Sequence, residues 1–339
     1  MSTPELTSAN DETAAETQNA NESLPNREIL VPLDGSALAE AVLPQALMLA
    51  RITSGGLVLM RVANAPLLPW VGIGTAPPLD PDLIDDMWRM ELEGVRSYLS
   101  GVAQRLAPAG VPVRSEVLRG EAAQAIVEYL EQHTQTELAA MATHGRSGLR
   151  GWVLGSVAEK VLQASPKPLL LVRPSTPEAD LEPQAHPTPA QTYRTILVPL
   201  DGSLFAEQAL ERARDLAHLA GAELVLVTVM LGSDDYKSET VDSESWAIAD
   251  RQEAERLTTY LAQTAEQLRA GGITVRTQLM HGYPPEEILK AGEQEHADLI
   301  VMATHGRGGL QRLWLGSVAM KMVQASGLPI LLVRPTESR

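Results

Sequence analysis

Two tandem α/β units, each a five-stranded parallel sheet with helices on both faces, are the architecture this sequence predicts. Three observations lead there. First, MATHGRSGLRGWVLGSVAEKVLQAS from Met141 returns as MATHGRGGLQRLWLGSVAMKMVQAS from Met302, and ILVPLDGS at Ile29 returns at Ile196. Second, short apolar runs alternate with amphipathic stretches in each copy, the pattern of parallel strands joined by crossover helices. Third, a length of 339 residues suits two domains of ordinary size. The offset between copies falls from 167 residues at Asp34/Asp201 to 161 at His144/His305, so the second copy is six residues shorter. Duplication of a whole domain explains this spacing, whereas a short-period solenoid does not.

The elements follow in order. Ile29 to Leu33 and Ile196 to Leu200 are apolar, β-branched runs of strand length, each leading into Asp-Gly-Ser. A helix is expected from about Leu38 to Arg51 and from Leu204 to Leu219, with a kink at Pro44 in the first copy. Leu57 to Val62 and Leu224 to Val229 are continuous apolar runs, as suits strands covered on both faces. Long amphipathic helices come next, about Asp85 to Leu106 and Trp246 to Leu268, each ended by glycine. Third strands (Val113 to Leu118; Val275 to Leu279) precede a Gly loop and a short helix. Fourth strands span Leu138 to Met141 and Leu299 to Met302, and fifth strands Leu169 to Val172 and Ile330 to Val333.

The resulting domain map is 27–175 and 193–336, with two segments outside it. Residues 1–26 carry five acidic and no basic residues and little apolar surface, so they are expected to be disordered. Residues 176–192, with Pro177, Pro183, Pro187 and Pro189, read as a semi-rigid linker. A net charge of -16 argues against nucleic acid and anionic membranes as partners, because both normally require a basic stripe. Zero cysteines excludes disulfides and thiolate chemistry. No apolar run approaches membrane-spanning length and no signal peptide is legible, so a cytoplasmic location is the expectation.

The duplicated loops carry whatever chemistry this chain has. Ala142-x2-Gly145-x9-Gly155-Ser156 follows the fourth strand, matched by Ala303-x2-Gly306-x9-Gly316-Ser317. Gly155-Ser156 stands just before a helical pattern, where backbone amides at the positive end of a helix make an anion site. Arg146 and Arg307 could meet phosphates or be solvated, and Ser156 could donate its hydroxyl or cap the helix. The plain alternative is a Gly-rich connection with no ligand; retention of His and Arg in both copies weighs against it. No Gly-Lys-Ser or Gly-Lys-Thr occurs, so this is not a Walker A loop. Asp34 and Asp201 fit a turn or capping carboxylate as well as a functional one. His144 and His305 could act as acid or base or fix the loop by hydrogen bonding. Asp298 reads as a strand-edge surface charge, and Trp152 and Trp314 as packing residues.

The ILVPLDGS opening, MATHGR loop, LGSVAEKVL helix start and LLLVRP end, in this order twice, resemble tandem universal stress protein (UspA-type) domains. The resemblance covers nearly all of Arg27 to Thr176 and Tyr193 to Thr336. It implies a Rossmann-like sheet of strand order 3-2-1-4-5, fifth strands that pair across a dimer axis, and, in one branch, a bound ATP with Mg2+ as candidate counter-ion. By that resemblance Pro32, Leu33, Asp34 and Val62 lie near the adenine and ribose, Met141, Ala142, His144, Gly145 and Arg146 line the nucleotide, and Gly155, Ser156 and Val157 hold phosphates. In the second copy the equivalents are Pro199, Leu200, Asp201, Val229, Met302, Ala303, His305, Gly306, Arg307, Gly316, Ser317 and Val318. One departure is that the family's first loop glycine is Ala142 here and Ala303 in the second copy, which a negative φ would tolerate.

Three functions follow as expectations: a nucleotide-binding regulatory protein of the stress response, an interaction module acting through domain pairing or a homodimer, and an ATP-dependent enzyme. The third ranks last, with slow ATP hydrolysis at most, because no nucleophile, base and orienting group converge on the motifs. The loops after the second strands differ most. Leu67 to Leu83 is apolar and Pro-rich, whereas Leu231 to Ser245 is acidic, which points to division of labour between the copies.

Overall fold

The structure, a computed structural model, describes residues 27–63, 81–143, 154–174, 192–231, 243–305 and 315–335. The tail at 1–26 and nearly all of the linker lie outside the described residues. The first copy runs β1 (Glu28–Pro32), α1 (Ala37–Glu40), α2 (Leu43–Ile52), β2 (Gly56–Ala63), α3 (Pro81–Leu106), β3 (Val113–Arg119), α4 (Ala122–Gln132), β4 (Thr136–Ala142), α5 (Ser156–Ala164) and β5 (Leu169–Val172). The second runs β6 (Thr195–Pro199), α6 (Leu204–Ala220), β7 (Glu223–Met230), α7 (Ser243–Ala270), β8 (Val275–His281), α8 (Pro284–Gln294), β9 (Leu299–Ala303), α9 (Ser317–Ala325) and β10 (Ile330–Val333).

Strand order is β3-β2-β1-β4-β5-β10-β9-β6-β7-β8, one continuous ten-stranded sheet. Each half is parallel with the expected 3-2-1-4-5 order. The halves meet where β5 and β10 pair antiparallel, Leu170 opposite Leu331. Alternation along β1 sends Ile29 and Val31 into the core under α2 and α3, and Leu30 into the core under α4 and α5. Both cores run unbroken from one copy into the other. Reciprocal arginines reinforce the seam: Arg173 Nη1 donates to the Gln324 carbonyl (3.2 Å) and Arg334 Nη1 to the Ser165 carbonyl (2.9 Å).

Two local expectations change. The first-copy helix is broken rather than kinked. Pro44 has no N–H to donate to Glu40, so α1 stops at Glu40 and Pro44 opens α2 as an N-terminal proline. The second copy has Glu211 there, and α6 is continuous over 17 residues. Asp298 is a structural tie, since its Oδ2 accepts the Arg194 and Thr195 amides at 2.7 and 3.0 Å and anchors the entry to β6. Its first-copy counterpart, Glu137, instead pairs with Arg27 (3.2 Å) and across the seam with Arg212 (3.0 Å).

The seam yields a stability prediction. Leu170 is fully buried at its centre while Leu204 is 75% exposed. Leu170→Ala should cost about 2–5 kcal/mol in urea unfolding, and Leu204→Ala should stay within about 0.5 kcal/mol of the parent.

Candidate functional site

Strand order reverses at β1, which has β2 on one side and β4 on the other. The connections leaving the carboxyl ends of β1 and β4 therefore diverge and leave a crevice between them. The Asp-Gly-Ser turns shape one wall. Gly35 and Gly202 have φ of 85° and 76°, which a side chain would disfavour. Asp34 Oδ1 accepts the Ser36 amide at 2.9 Å and its hydroxyl at 2.6 Å, and Ser36 Oγ caps α1 by accepting the Ala39 amide at 3.1 Å. The second copy repeats this with Asp201, Ser203 and Ala206 at 2.9 and 3.2 Å. These aspartates thus brace the turn, and the capping role belongs to the serines.

The other wall is the exit from β4. The Thr143 amide donates to the Val172 carbonyl (2.9 Å), and the Gly155 amide donates back to the Thr143 carbonyl (2.8 Å), pinning both ends of the loop. Thr304, Val333 and Gly316 make the same two bonds at 2.9 and 2.7 Å. Gly155 and Gly316 are the N-caps of α5 and α9 with φ of −60° and −66°, so their need for glycine is not a positive φ. It is close approach: a Cβ on Gly316 would lie 3.2 Å from the Thr304 carbonyl oxygen. Ser156 and Ser317 are the first helical residues and do not cap. The N-cap glycines bring no side-chain cap to α5 or α9, so among the described residues the first-turn amides at Ser156, Val157 and Ala158 are candidate anion donors.

Between the walls lies a cavity of about 410 Å3. It brings together Pro32, Leu33, Asp34, Val62, Met141, Ala142, Gly155, Ser156 and Val157. His144, Gly145, Arg146, Gly306 and Arg307 lie outside the described residues, as do Trp152 and Trp314. The cavity also takes Ala39, Met60, Arg61, Glu91, Glu121, Ala122, Ile126, Thr143 and Ala158, which sequence reasoning did not single out. The nearest signal was the position of Arg61 beside Val62. Arg61 stands over the Tyr98 ring, its guanidinium carbon 5.0 Å from the centroid. Glu121 caps α4 by accepting the Gln124 amide at 2.7 Å and receives Lys160 Nζ at 3.0 Å. Those two donors hold its carboxyl below the usual range, the amide being the larger cause. A hollow of about 460 Å3 lies on α7 alone, lined by residues such as Glu255, Arg256 and Tyr260. One helix face offers no convergent groups, so the crevice is the stronger candidate.

In the second copy Pro199, Leu200, Asp201, Val229, Met302, Ala303, Gly316, Ser317 and Val318 hold the equivalent places by the repeat. His305 is described, and its Nδ1 lies 3.0 Å from Thr304 Oγ1. Thr228 replaces Arg61 and spends its hydroxyl on the Leu200 carbonyl (2.9 Å). Tyr283 replaces Glu121. The shared alanines are unstrained: Ala142 and Ala303 end β4 and β9 with negative φ, paired to Val172 and Val333. Among the described residues no group of three or more acidic or histidine side chains could hold a metal ion. Any Mg2+ would therefore arrive on the phosphates of a ligand.

Comparison with known proteins agrees with this arrangement. The sequence model of the universal stress protein family matches residues 25–173 and again 192–334. A universal stress protein of Thermus aquaticus is 36% identical over 148 residues, 42% of this chain and 99% of its own length. One from Mycobacterium bovis is 26% identical over 311 residues, covering 90% of this chain and 96% of its own. The crystal structure of a universal stress protein from Archaeoglobus fulgidus superposes with a TM-score of 0.64 at 23% identity, covering 93% of this chain and 98% of that one.

Because Ala142 sits in ordinary extended backbone, Ala142→Gly should lower stability by about 0.5–1 kcal/mol in thermal unfolding. A rise in stability would mean the loop backbone favours a conformation that alanine resists.

Proposed function

Because the chain belongs to the universal stress protein family, we propose that it is a regulatory protein of the stress response that binds adenine nucleotides, ATP among them, with the crevice of each half as a site. The observation that carries this reading is the cavity itself. It joins the two loops that the sequence repeats, at the point of strand-order reversal and beneath a helix start that no side chain caps. A volume of about 410 Å3 lies within the range of small-molecule sites. Val62, Met141 and Ile126 supply apolar surface for a base. The Ser156 and Val157 amides, with the Ser156 hydroxyl, are placed to receive phosphate oxygens, and Asp34 holds the opposite wall at fixed register. Nothing among the described lining residues forms a nucleophile, base and orienting triad, so binding rather than turnover is the role this geometry favours.

A second reading has its own observation. The apolar fifth strands are satisfied within one chain by the β5–β10 pairing, so a paired module is complete without ligand and without a second copy. It would be an interaction module, and nucleotide content separates it from the first. No helix among the described residues is long and apolar enough to cross a membrane.

The purified chain should carry or take up ATP in equilibrium dialysis. Gly155→Val together with Gly316→Val should abolish uptake while the circular dichroism spectrum is kept. Absence of uptake by the parent chain at millimolar ATP would overturn the nucleotide reading and favour the interaction module.

A further inference from the structure

The two clefts differ at one point that bears on ligand charge, and the inference drawn from it rests on the nucleotide reading above. In the first copy Glu121 and Ala122 at the start of α4 and Ser156, Val157 and Ala158 at the start of α5 line the same cavity. Glu121, the cap of α4, lines the cavity and receives Lys160 Nζ at 3.0 Å. Lys160 lies one turn beyond Ser156 on α5 and reaches Glu121 at the start of α4. The carboxylate thus offsets the charge of that ammonium at the cavity wall.

In the second copy the repeat puts Tyr283 at the place of Glu121 and Lys321 at the place of Lys160. Lys321 Nζ stands 4.4 Å from the centroid of the Tyr283 ring and donates to its hydroxyl. A cation held on a phenol keeps its charge, so the neutral ion pair of the first copy is replaced by a net positive pair in the second. The other acids nearby do not reverse this. Glu286 matches Gln124, which does not line the first cavity, and Glu287, which lies beside Gly282 at the start of α8, is neutralised by Lys290 at 3.2 Å. Glu253 matches Glu91 and is held by Arg256 at 2.6 Å. At the far end of the first cavity Arg61 supplies a cation beside Val62, away from the α5 start, and Thr228 supplies none in the second.

We propose that Glu121 is the specificity-determining residue of the first cleft, selecting against an extended polyphosphate there, and that the Tyr283–Lys321 pair makes the second cleft the polyphosphate site. The first cleft then suits adenine ligands with little charge at the α5 end, such as nucleosides and monophosphates. One chain would thereby respond to the ratio of highly to weakly phosphorylated adenine compounds.

The test is calorimetric titration of the full chain with ATP and with adenosine, one cleft being closed at a time. With Gly316→Val closing the second cleft, E121Q should tighten ATP about two- to fivefold, the range for one screened charge at a helix start, and leave adenosine unchanged. With Gly155→Val closing the first, Y283E should weaken ATP by a similar factor and again spare adenosine. Thermal melts confirm that each variant is folded, and the Y283E arm stands on its own if E121Q weakens the α4 cap. A ratio of ATP to adenosine affinity that neither substitution moves, or a change shared equally by both ligands, would overturn the proposal while leaving nucleotide binding intact. Failure of the parent chain to bind either ligand would overturn both.

Discussion

A fully apolar edge strand cannot be left facing water, and the fifth strand of each half, LLLV or ILLV, is buried along its whole length. Its free backbone edge must find a partner, and within one chain the partner is the other fifth strand. Much else follows from that contact. Antiparallel pairing of two parallel half-sheets turns the carboxyl ends of their strands in opposite directions, so the two crevices open at opposite edges of one sheet. It also fuses the cores on both faces across the seam. The arrangement gives two crevices that share a scaffold and open away from each other.

Duplication makes symmetry the default, and departures from it at the seam and at the crevices change the charged contacts. At the seam, Glu137 pairs with Arg212 where the mirrored position has Gln45 accepting from the Tyr193 hydroxyl at 3.1 Å. Burial pushes the Tyr193 phenol well above its ordinary value, so that hydroxyl remains a neutral donor. At the crevices, Arg61 is set by Tyr98, whose hydroxyl donates to Glu40 at 2.8 Å, and Glu40 also receives Arg105. The second copy has Thr228 in place of that cation. A cation present beside Val62 and absent beside Val229 comes from a single substitution on matching strands, which is how a duplicated domain diverges without loss of fold.

Most of the fold was legible in the sequence because its signals are local and appear twice. Apolar runs of strand length, the Asp-Gly-Ser turns and the glycines before α5 and α9 each act within a few residues. The errors were local too, and each has a cause. A kink was expected at Pro44, but the missing N–H falls so early that the helix restarts there. Ser156 read equally as a hydroxyl donor or a helix cap, and the second alternative falls. The cap went to Gly155, whose extended backbone and bond to Thr143 leave the serine inside the first turn. About half of the cavity wall was not legible. Glu91 and Glu121 belong to segments distant from the motifs, and only the packing of α3 and α4 over the sheet brings them in.

The alanine at the first loop position shows how the structure changes the weight of a motif. A glycine there is informative only if the backbone requires it. Ala142 and Ala303 continue β4 and β9 in extended conformation, each paired in register with the fifth strand of its half, and their methyl groups are buried. Position 316, by contrast, leaves no ordinary room for a Cβ beside the Thr304 carbonyl. Of the two ends of the motif, the position before the helix is therefore the tighter one for a side chain, and the position after the strand takes alanine without strain. A loop that keeps the first and relaxes the second retains its uncapped helix start, and with it the property on which anion binding depends.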